Sequence, residues 1–561
     1  MSDFYKMVTD KEGEFQALFA RMDTDKELLI QKEFTLFDKD DREAPDVENL
    51  TLNDAAVFAA RVQANLIGAN MQTVVEGEKL KDEETHLFED FFRDYTLAVD
   101  GDLQMKDIPS LMAWNVQQIL GRGRVASRVT LTMDGDKFIH GILPLDTRYL
   151  IYDYGVKGLK WVAYKTQRTK DQVFDEYAIE LNKSNAIITD LWIDEEEIVF
   201  IEKDIVKQEK HGFDELPFVI QVCPLGLMFQ DDDRILYNGE SIFYLNRNLY
   251  EAKNKVASIL NTLNMYSLFG GLQYESEAGI LAKRPEKPPY GKRFVIPVDK
   301  GGGYKPMPVS DIRMATRLLY SILDSAIQDG SLARISYGTL QFPLSAVGMA
   351  ELKEAEDPVY LPRLQALSLY YQRLYRMVLN QYVGRKMNVQ LGEPGFQKEY
   401  PWAKLDKPVS ITFKFFATSA KQRIANTSVA TAEKALGLPE DWIFRNTLEL
   451  ENPTEVISQR RAELAEKIDP AIALYKLAHS LLDEEQEIEA ELILQQLETM
   501  LRQRNQPRMP QPPLQAPGAM QRALSEEPKQ LRPGETLLPL LGKGGQRPRV
   551  PAEKLPEVEE E

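Results

Sequence analysis

Seven apolar residues, Ile242, Leu245, Leu249, Ala252, Val256, Ile259 and Leu263, step along the chain by 3, 4, 3, 4, 3 and 4. That spacing predicts an α-helix over residues 239–264 with one narrow packing seam. At about 1.5 Å per residue it would reach roughly 39 Å. A second segment, residues 309–329, carries Ile312, Ala315, Leu319, Ile322 and Ala326 at the same spacing, with Ser310 or Asp311 able to cap its start. Between the two, Gly270, Gly271, "RPEKPPYGK" and "KGGGYKPMP" break helix repeatedly and leave room for short strands such as "RFVIPV". Two long helices therefore bracket a small non-helical module, and helices with seams this narrow need neighbours to be stable.

The stretch that follows, "DGSLARISYGTLQFPLSAVGMAEL" from Asp329 to Leu352, interrupts helix with glycines and a proline. After it comes a third long helical pattern to about Val383, with Pro358 and Pro362 inside it, where a missing N–H and a ring clash predict a kink or break. Its second half repeats the seam at Leu364, Leu367, Tyr371, Leu374 and Val378, and one strand, "VSITFKFFA", precedes a last helical block. Two helices of that block open with a capping residue and then proline, Asn452-Pro453 and Asp469-Pro470. From Asn505 the composition changes. Eleven of the last 57 residues are proline and none is aromatic, which reads as a disordered tail.

Upstream of the first long helix the pattern is mostly helical from Phe4 to Gln118 and then turns to strands. "RVTLTM", "FIHGIL", "LKWVAYK", "AIITDLWI" and "EIVFIEKDI" alternate, with β-branched and aromatic residues and Gly, Asp or Asn between them. The fold class expected is α+β.

The 561 residues suffice for a large core. With 87 Asp plus Glu against 68 Lys plus Arg, the net charge of -19 argues against a protein that coats nucleic acid through a basic surface. The single cysteine, Cys223 in "PFVIQVCPL", has no internal disulfide partner and reads as a small buried hydrophobe, compatible with a reducing compartment. "MSDFYKMVTDKEGEF" has charges every few residues and lacks the apolar core of a signal peptide. No window approaches the roughly 18 consecutive apolar residues of a membrane span.

Catalytic signatures are weak throughout. "GRGRVA" from Gly121 matches a loose dinucleotide spacing but lies between a helix and a strand, the reverse of the order that fingerprint needs. "GKR" at Gly291 and "GKG" at Gly542 lack the remainder of a phosphate-binding loop. "FDKDDREAPDVEN" has Glu43 and Asn49 where a calcium loop needs Gly and Glu. His86, His140, His211 and His479 are scattered, without a second ligand at metal spacing. "DDD" at Asp231 and "DEEE" at Asp194 read as solvated acidic loops. The expectation is a protein that is no enzyme and holds no metal or cofactor.

The order of elements, and the texture of "SAVGMAELKEAEDPVYLPRLQALSLYYQRLYRMVLNQY", resemble the portal proteins, or head-to-tail connectors, of tailed double-stranded DNA bacteriophages. The resemblance covers roughly Leu50 to Arg504 and rests on element order, since the family has no short invariant motif. It implies an N-terminal segment (1–50) outside the match, an α+β wing (51–238), a first stem helix (239–264), a clip (265–308), a second stem helix (309–329) and a tunnel loop (330–346). A long kinked helix with a returning wing strand (347–417), a helical crown (418–504) and the Pro-rich tail (505–561) complete it.

The resemblance also implies a homo-oligomeric ring of twelve copies at one capsid vertex of the virion, assembled in the host cytoplasm. Through its channel genomic double-stranded DNA would be packaged and ejected. Its partners would be the terminase large subunit, whose ATPase drives the DNA, the major capsid or scaffolding protein, and a head-completion or tail adaptor, with no membrane. The tunnel loop would present Arg334, Ile335, Tyr337, Leu340, Gln341 and Phe342 to DNA, or else pack on its own subunit.

The clip region from Met265 to Ser310 holds seven basic residues against four acidic, a net +3 in an acidic chain. Lys283, Arg284, Lys287, Lys292 and Arg293 are its candidate contacts with DNA or a partner, the alternative being a solvated surface. Weak contact suits a conduit, because each neutralised phosphate tightens binding through counterion release and a strongly basic bore would hold DNA fast. Two other readings stay open: a ring or adaptor of a virion or secretion machine that conducts no DNA, and a nucleic-acid-processing enzyme with an unrecognised site.

Overall fold

A computed structural model describes residues 3–44, 47–77, 80–135, 137–229, 231, 234–269, 272–275, 303–306, 312–332, 346–392, 395, 397–416, 420–448, 450, 453–483 and 487–505. The chain divides into two compact units, Met1–Ala465 and Glu466–Glu561. The first opens with α1 (Asp3–Leu29), α2 (Asp54–Ile67), β1 (Asn70–Glu76), α3 (Asp82–Gln104) and α4 (Leu111–Gly121). Strands β2 (Arg124–Val129), β3 (Thr132–Asp134), β4 (Lys137–Ile139), β5 (Ile142–Leu145), β6 (Leu150–Gly155) and β7 (Gly158–Thr169) follow. After α5 (Lys170–Tyr177) come β8 (Asn185–Ile193), β9 (Glu196–Ile201), β10 (Asp204–Lys210) and β11 (Phe218–Val222).

The short α6 (Arg234–Tyr237) leads to α7 (Arg247–Phe269), the strands β12 (Leu272–Glu275) and β13 (Gly303–Pro306), α8 (Ile312–Asp329) and α9 (Ala346–Gly384). Strands β14 (Asn388–Leu391) and β15 (Lys398–Pro401), the turn α10 (Trp402–Leu405) and β16 (Ser410–Phe416) precede α11 (Ala420–Ala435), α12 (Glu440–Asn446) and α13 (Pro453–Ile468). The second unit holds α14 (Pro470–Asp483) and α15 (Glu487–Asn505).

This mixture of helices and antiparallel strands is the α+β class expected from the sequence. The main sheet runs β10-β9-β8-β7-β6, and a second runs β11-β2-β5. Several quoted strand runs are split by turns. "FIHGIL" breaks at Gly141, whose φ of 60° brings it against the Thr130 carbonyl, and "EIVFIEKDI" breaks at Glu202, also at positive φ. The helix before Gly121 does give way to a strand at Arg124. Gly123, at φ 70°, forms that turn where the Gly239 backbone crosses, so a Cβ there would lie 2.1 Å from the Gly239 carbonyl oxygen.

The third long helix is α9, one continuous helix containing both Pro358 and Pro362. Its predicted seam is its buried face. Leu367, Tyr371, Leu374 and Val378 are sealed in the main core, with Leu364 packed at its edge. Tyr371 stacks on Tyr375 at 6.0 Å, and Tyr375 on Phe413 of β16 at 5.0 Å. Gln381 joins α9 to the chain beyond β2 by accepting from the Leu131 N–H at 3.0 Å and donating to the Val129 carbonyl at 2.8 Å.

Two features lie outside the sequence expectation. β1, inside a region read as helical, pairs antiparallel with β16 from far along the sequence, from Asn70↔Phe416 to Glu76↔Ser410. And α1 is integral to the body, because Val8, Phe15, Leu18, Phe19 and Met22 pack with Tyr152, Trp161 and Phe200 of the main sheet in a second core cluster.

Candidate assembly surface and the base of the long helices

The first long helix starts later than its spacing predicted. α7 begins at Arg247 and runs to Phe269, while residues 239–246 form a turn fixed by buried charge. Arg21 of α1 donates to the Gly239 carbonyl at 2.7 Å and to that of Leu236 and pairs with Glu240 at 3.2 Å. Asp25, wholly buried, takes both arms of Arg247 at 2.6 and 3.0 Å, and Arg247 also reaches Glu240 at 2.7 Å. Arg124 donates to the Tyr152 hydroxyl at 2.7 Å and to the Asn238 carbonyl at 2.8 Å. Arg363 of α9, also buried, donates to the Ser241 carbonyl at 3.3 Å. The Gly239 and Ser241 carbonyls are thus taken by guanidinium groups, and the Glu240 and Ile242 N–H groups by the Leu225 and Leu120 carbonyls, so these groups do not join a helical ladder.

Burial dominates the electrostatics of this node. It pushes the Asp25 carboxyl above the usual carboxylate range, with hydrogen bonds and charge from Arg247 pulling back. It brings Arg21 down to about 10, with the Glu240 charge opposing, and it lowers Arg363.

Above the node, α7 packs against α8. Lys253 on α7 sits between Asp54, the first residue of α2, at 3.0 Å and Asp324 of α8 at 2.8 Å, with its ammonium 5.4 Å from the Tyr320 ring. Asn246 donates to the Ile327 carbonyl at 3.0 Å, and its side chain abuts Gly330, where a Cβ would come within 2.3 Å of it. The expected stop of this helix at Gly330 is thus both a terminus and a close approach. The strands at the foot of the intervening module, β12 and β13, pair antiparallel from Leu272↔Pro306 to Glu275↔Gly303.

The seam predicted on α8 is not the face that packs on α7. Thr316, Leu323 and Ile327 are buried in the chain, whereas Met314, Leu318, Leu319 and Ile322 are 78, 64, 47 and 55 % exposed. Ala315 is exposed too. This helix therefore has two apolar faces, one used within the subunit and one open. The second unit shows the same pattern, since Ala471, Ala478 and Ala490 are buried in the α14–α15 hairpin while Tyr475, Leu477, Leu492 and Leu494 are exposed.

The candidate DNA-facing residues Arg334, Ile335, Tyr337, Leu340, Gln341 and Phe342, and the basic residues Lys283, Arg284, Lys287, Lys292 and Arg293, lie outside the described residues. Asp38, in the sequence that resembles a calcium loop, accepts from the Asp40 and Arg42 N–H groups at 2.8 and 3.1 Å, in a turn closed by a Phe37↔Glu43 bridge. Among the described residues, no group of three His, Cys, Asp or Glu side chains is placed to hold a metal ion. No described helix is long and apolar enough to cross a membrane. Cys223 is buried, and burial drives its thiol up to about 11, so its thiolate is scarce at neutral pH. His140 meets Asp102 at 2.6 Å, and His211 stacks on Trp192 at 5.1 Å.

No family model matches the chain, and no curated protein does. Solved structures give remote likenesses. One is the neck of an empty gene transfer agent particle computed with C6 symmetry, 12% identical, with a TM-score of 0.40 over 69% of this chain and 90% of that one. Another is the neck of the native particle computed with C12 symmetry, also 12% identical, with a TM-score of 0.38 over 70% of this chain and 88% of that one. A third is the virion of the native gene transfer agent particle, 12% identical, with a TM-score of 0.37 over 71% of this chain and 89% of that one.

Proposed function

We propose that this chain is a portal-like ring subunit of a phage-like particle, and that copies of it close a channel for double-stranded DNA at one vertex of the capsid. The observation that carries the reading is the open apolar row of α8. Met314, Leu318 and Ile322 lie four residues apart, with Leu319 beside them three before Ile322, on a helix that has already committed its other face to α7. A row of that kind is covered by a second helix, and in a closed ring each subunit supplies the next one's partner. Burying a leucine or isoleucine that would otherwise face water contributes about 1.5–3 kcal/mol each, so even Leu318 and Ile322 alone would strengthen every subunit contact substantially.

The order of elements supports the rest of the reading: a helix, a small module whose ends are paired by β12 and β13, a second helix, and a long returning helix. Within it the chain works without chemistry of its own, guiding DNA that a separate terminase ATPase moves, and docking capsid or scaffolding protein and a tail adaptor. Purified protein examined by electron microscopy and native mass measurement tests the ring. Rings with a central hole, lost on Leu318→Glu with Ile322→Glu, are expected. Rings that survive both charges would show that α8 is not the contact.

A further inference from the structure

Residues 48–52 cross α7 in an unusual way. The Leu52 N–H donates to Asn254 Oδ1 at 3.0 Å, the Leu50 N–H to Ser258 Oγ at 2.9 Å, and the Glu48 N–H to Thr262 Oγ1 at 3.0 Å. Alternate N–H groups of one segment thus meet every fourth residue of a helix. The match is metric, since two residues of extended chain advance about 6.6 Å and four residues of helix about 6.0 Å. The hydroxyls serve both sides, because Ser258 Oγ also donates to the Asn254 carbonyl and Thr262 Oγ1 to the Ser258 carbonyl, each at 2.8 Å. Asn254, Ser258 and Thr262 form a polar rail that reads backbone alone.

The intervening side chains are spoken for as well. Asn49 Oδ1 accepts from the Leu36 N–H at 3.0 Å and Thr51 Oγ1 from the Phe34 N–H at 2.8 Å, tying the segment to the chain that leaves α1. At its end, Asp54 pairs with Lys253, one residue before the rail begins. Yet none of residues 47–53 is buried. The segment is half-exposed and its alternate N–H groups are tied to α7 by hydrogen bonds, the composition of a part that opens at low cost while the core stays folded.

We propose that residues 48–52 are a releasable strap, which sets the axial position of α7 against the body and opens without unfolding it. This goes beyond the ring reading and does not depend on it. A slip of two strap residues against one turn of α7 would regenerate two of the three rail bonds. The rail therefore defines discrete positions for the helix that carries α8 and its open face.

Hydrogen exchange on the full chain tests the strap. The amides of Glu48, Leu50 and Leu52 should exchange at a rate insensitive to low denaturant, while those of α9 and β7 slow to the rate of global unfolding. Replacing Ser258→Ala and Thr262→Val together should speed all three strap amides about tenfold, at roughly fivefold or less per lost bond, with α9 unchanged. Leu50→Pro, which removes a donor from the strap and leaves α7 untouched, should speed Glu48 and Leu52 likewise. Strap exchange that follows denaturant in step with α9, or that ignores both variants, would overturn the proposal. Each variant is compared with the parent chain in the same assembly state, so exchange in a chain that forms no rings still tests the strap.

Discussion

Replacing Asp25 with asparagine is the sharpest probe of how α7 is anchored. Four guanidinium groups, Arg21, Arg124, Arg247 and Arg363, share this node with two carboxylates among the described residues, Asp25 and Glu240. Asp25→Asn keeps the volume and one acceptor but removes a charge at a site with no solvent exposure. Arg247 would then lean on Glu240, which already serves Arg21. Breaking a buried pair from one side costs about 3–5 kcal/mol, because the remaining charge is left uncompensated. Against a typical domain stability of about 5–15 kcal/mol, the chain should still fold but with a much lower midpoint in urea. Removing both partners, as in Asp25→Leu with Arg247→Met, should return a large part of the loss, since an apolar pair carries no desolvation cost. A double-mutant cycle by urea denaturation reads both numbers. A loss below about 1 kcal/mol for Asp25→Asn, or strict additivity in the cycle, would refute the claim that buried charge fixes this turn.

Further outcomes are expected elsewhere. Leu318→Glu with Ile322→Glu should leave the subunit's own stability within about 0.5 kcal/mol per site, as for surface positions, while size-exclusion chromatography shows assembly lost. Lys253 is raised above its ordinary 10.5, because its bonds to Asp324 and Asp54 outweigh the effect of burial. Its contribution is therefore complete below pH 10.5 and lost as pH rises through the higher folded value. Lys253→Met should flatten that part of the alkaline stability curve. Replacing Arg334, Tyr337 and Phe342 together should spare ring assembly and impair DNA packaging or retention, and normal packaging would rule out a DNA-facing role for the tunnel loop.

What the sequence made legible was the period of each element, and what it hid was which face meets which neighbour. The α9 seam was readable because Leu367, Tyr371, Leu374 and Val378 all turn to one core. On α8 the same reading found Ala315, Leu319 and Ile322, a real apolar row, but the subunit buries Thr316, Leu323 and Ile327 instead. Periodicity reports that a face is apolar and is silent on whether its partner lies in the same chain. The start of α7 escaped the spacing for a related reason. Ile242 and Leu245 continue the period, but the turn there is dictated by Arg21 and Arg363 from distant sequence. β1 was hidden because its partner β16 lies far away in sequence, Asn70 pairing with Phe416. The strap left no periodic trace at all, since the rail contacts backbone and places no demand on the side chains of residues 48, 50 and 52.

The ring itself is tested most directly by imaging the purified full-length chain at micromolar concentration with electron microscopy, alongside its native mass. A portal-like subunit should give closed rings with a central hole and a mass that is an integral multiple of 64.1 kDa. A population of monomers alone would contradict it.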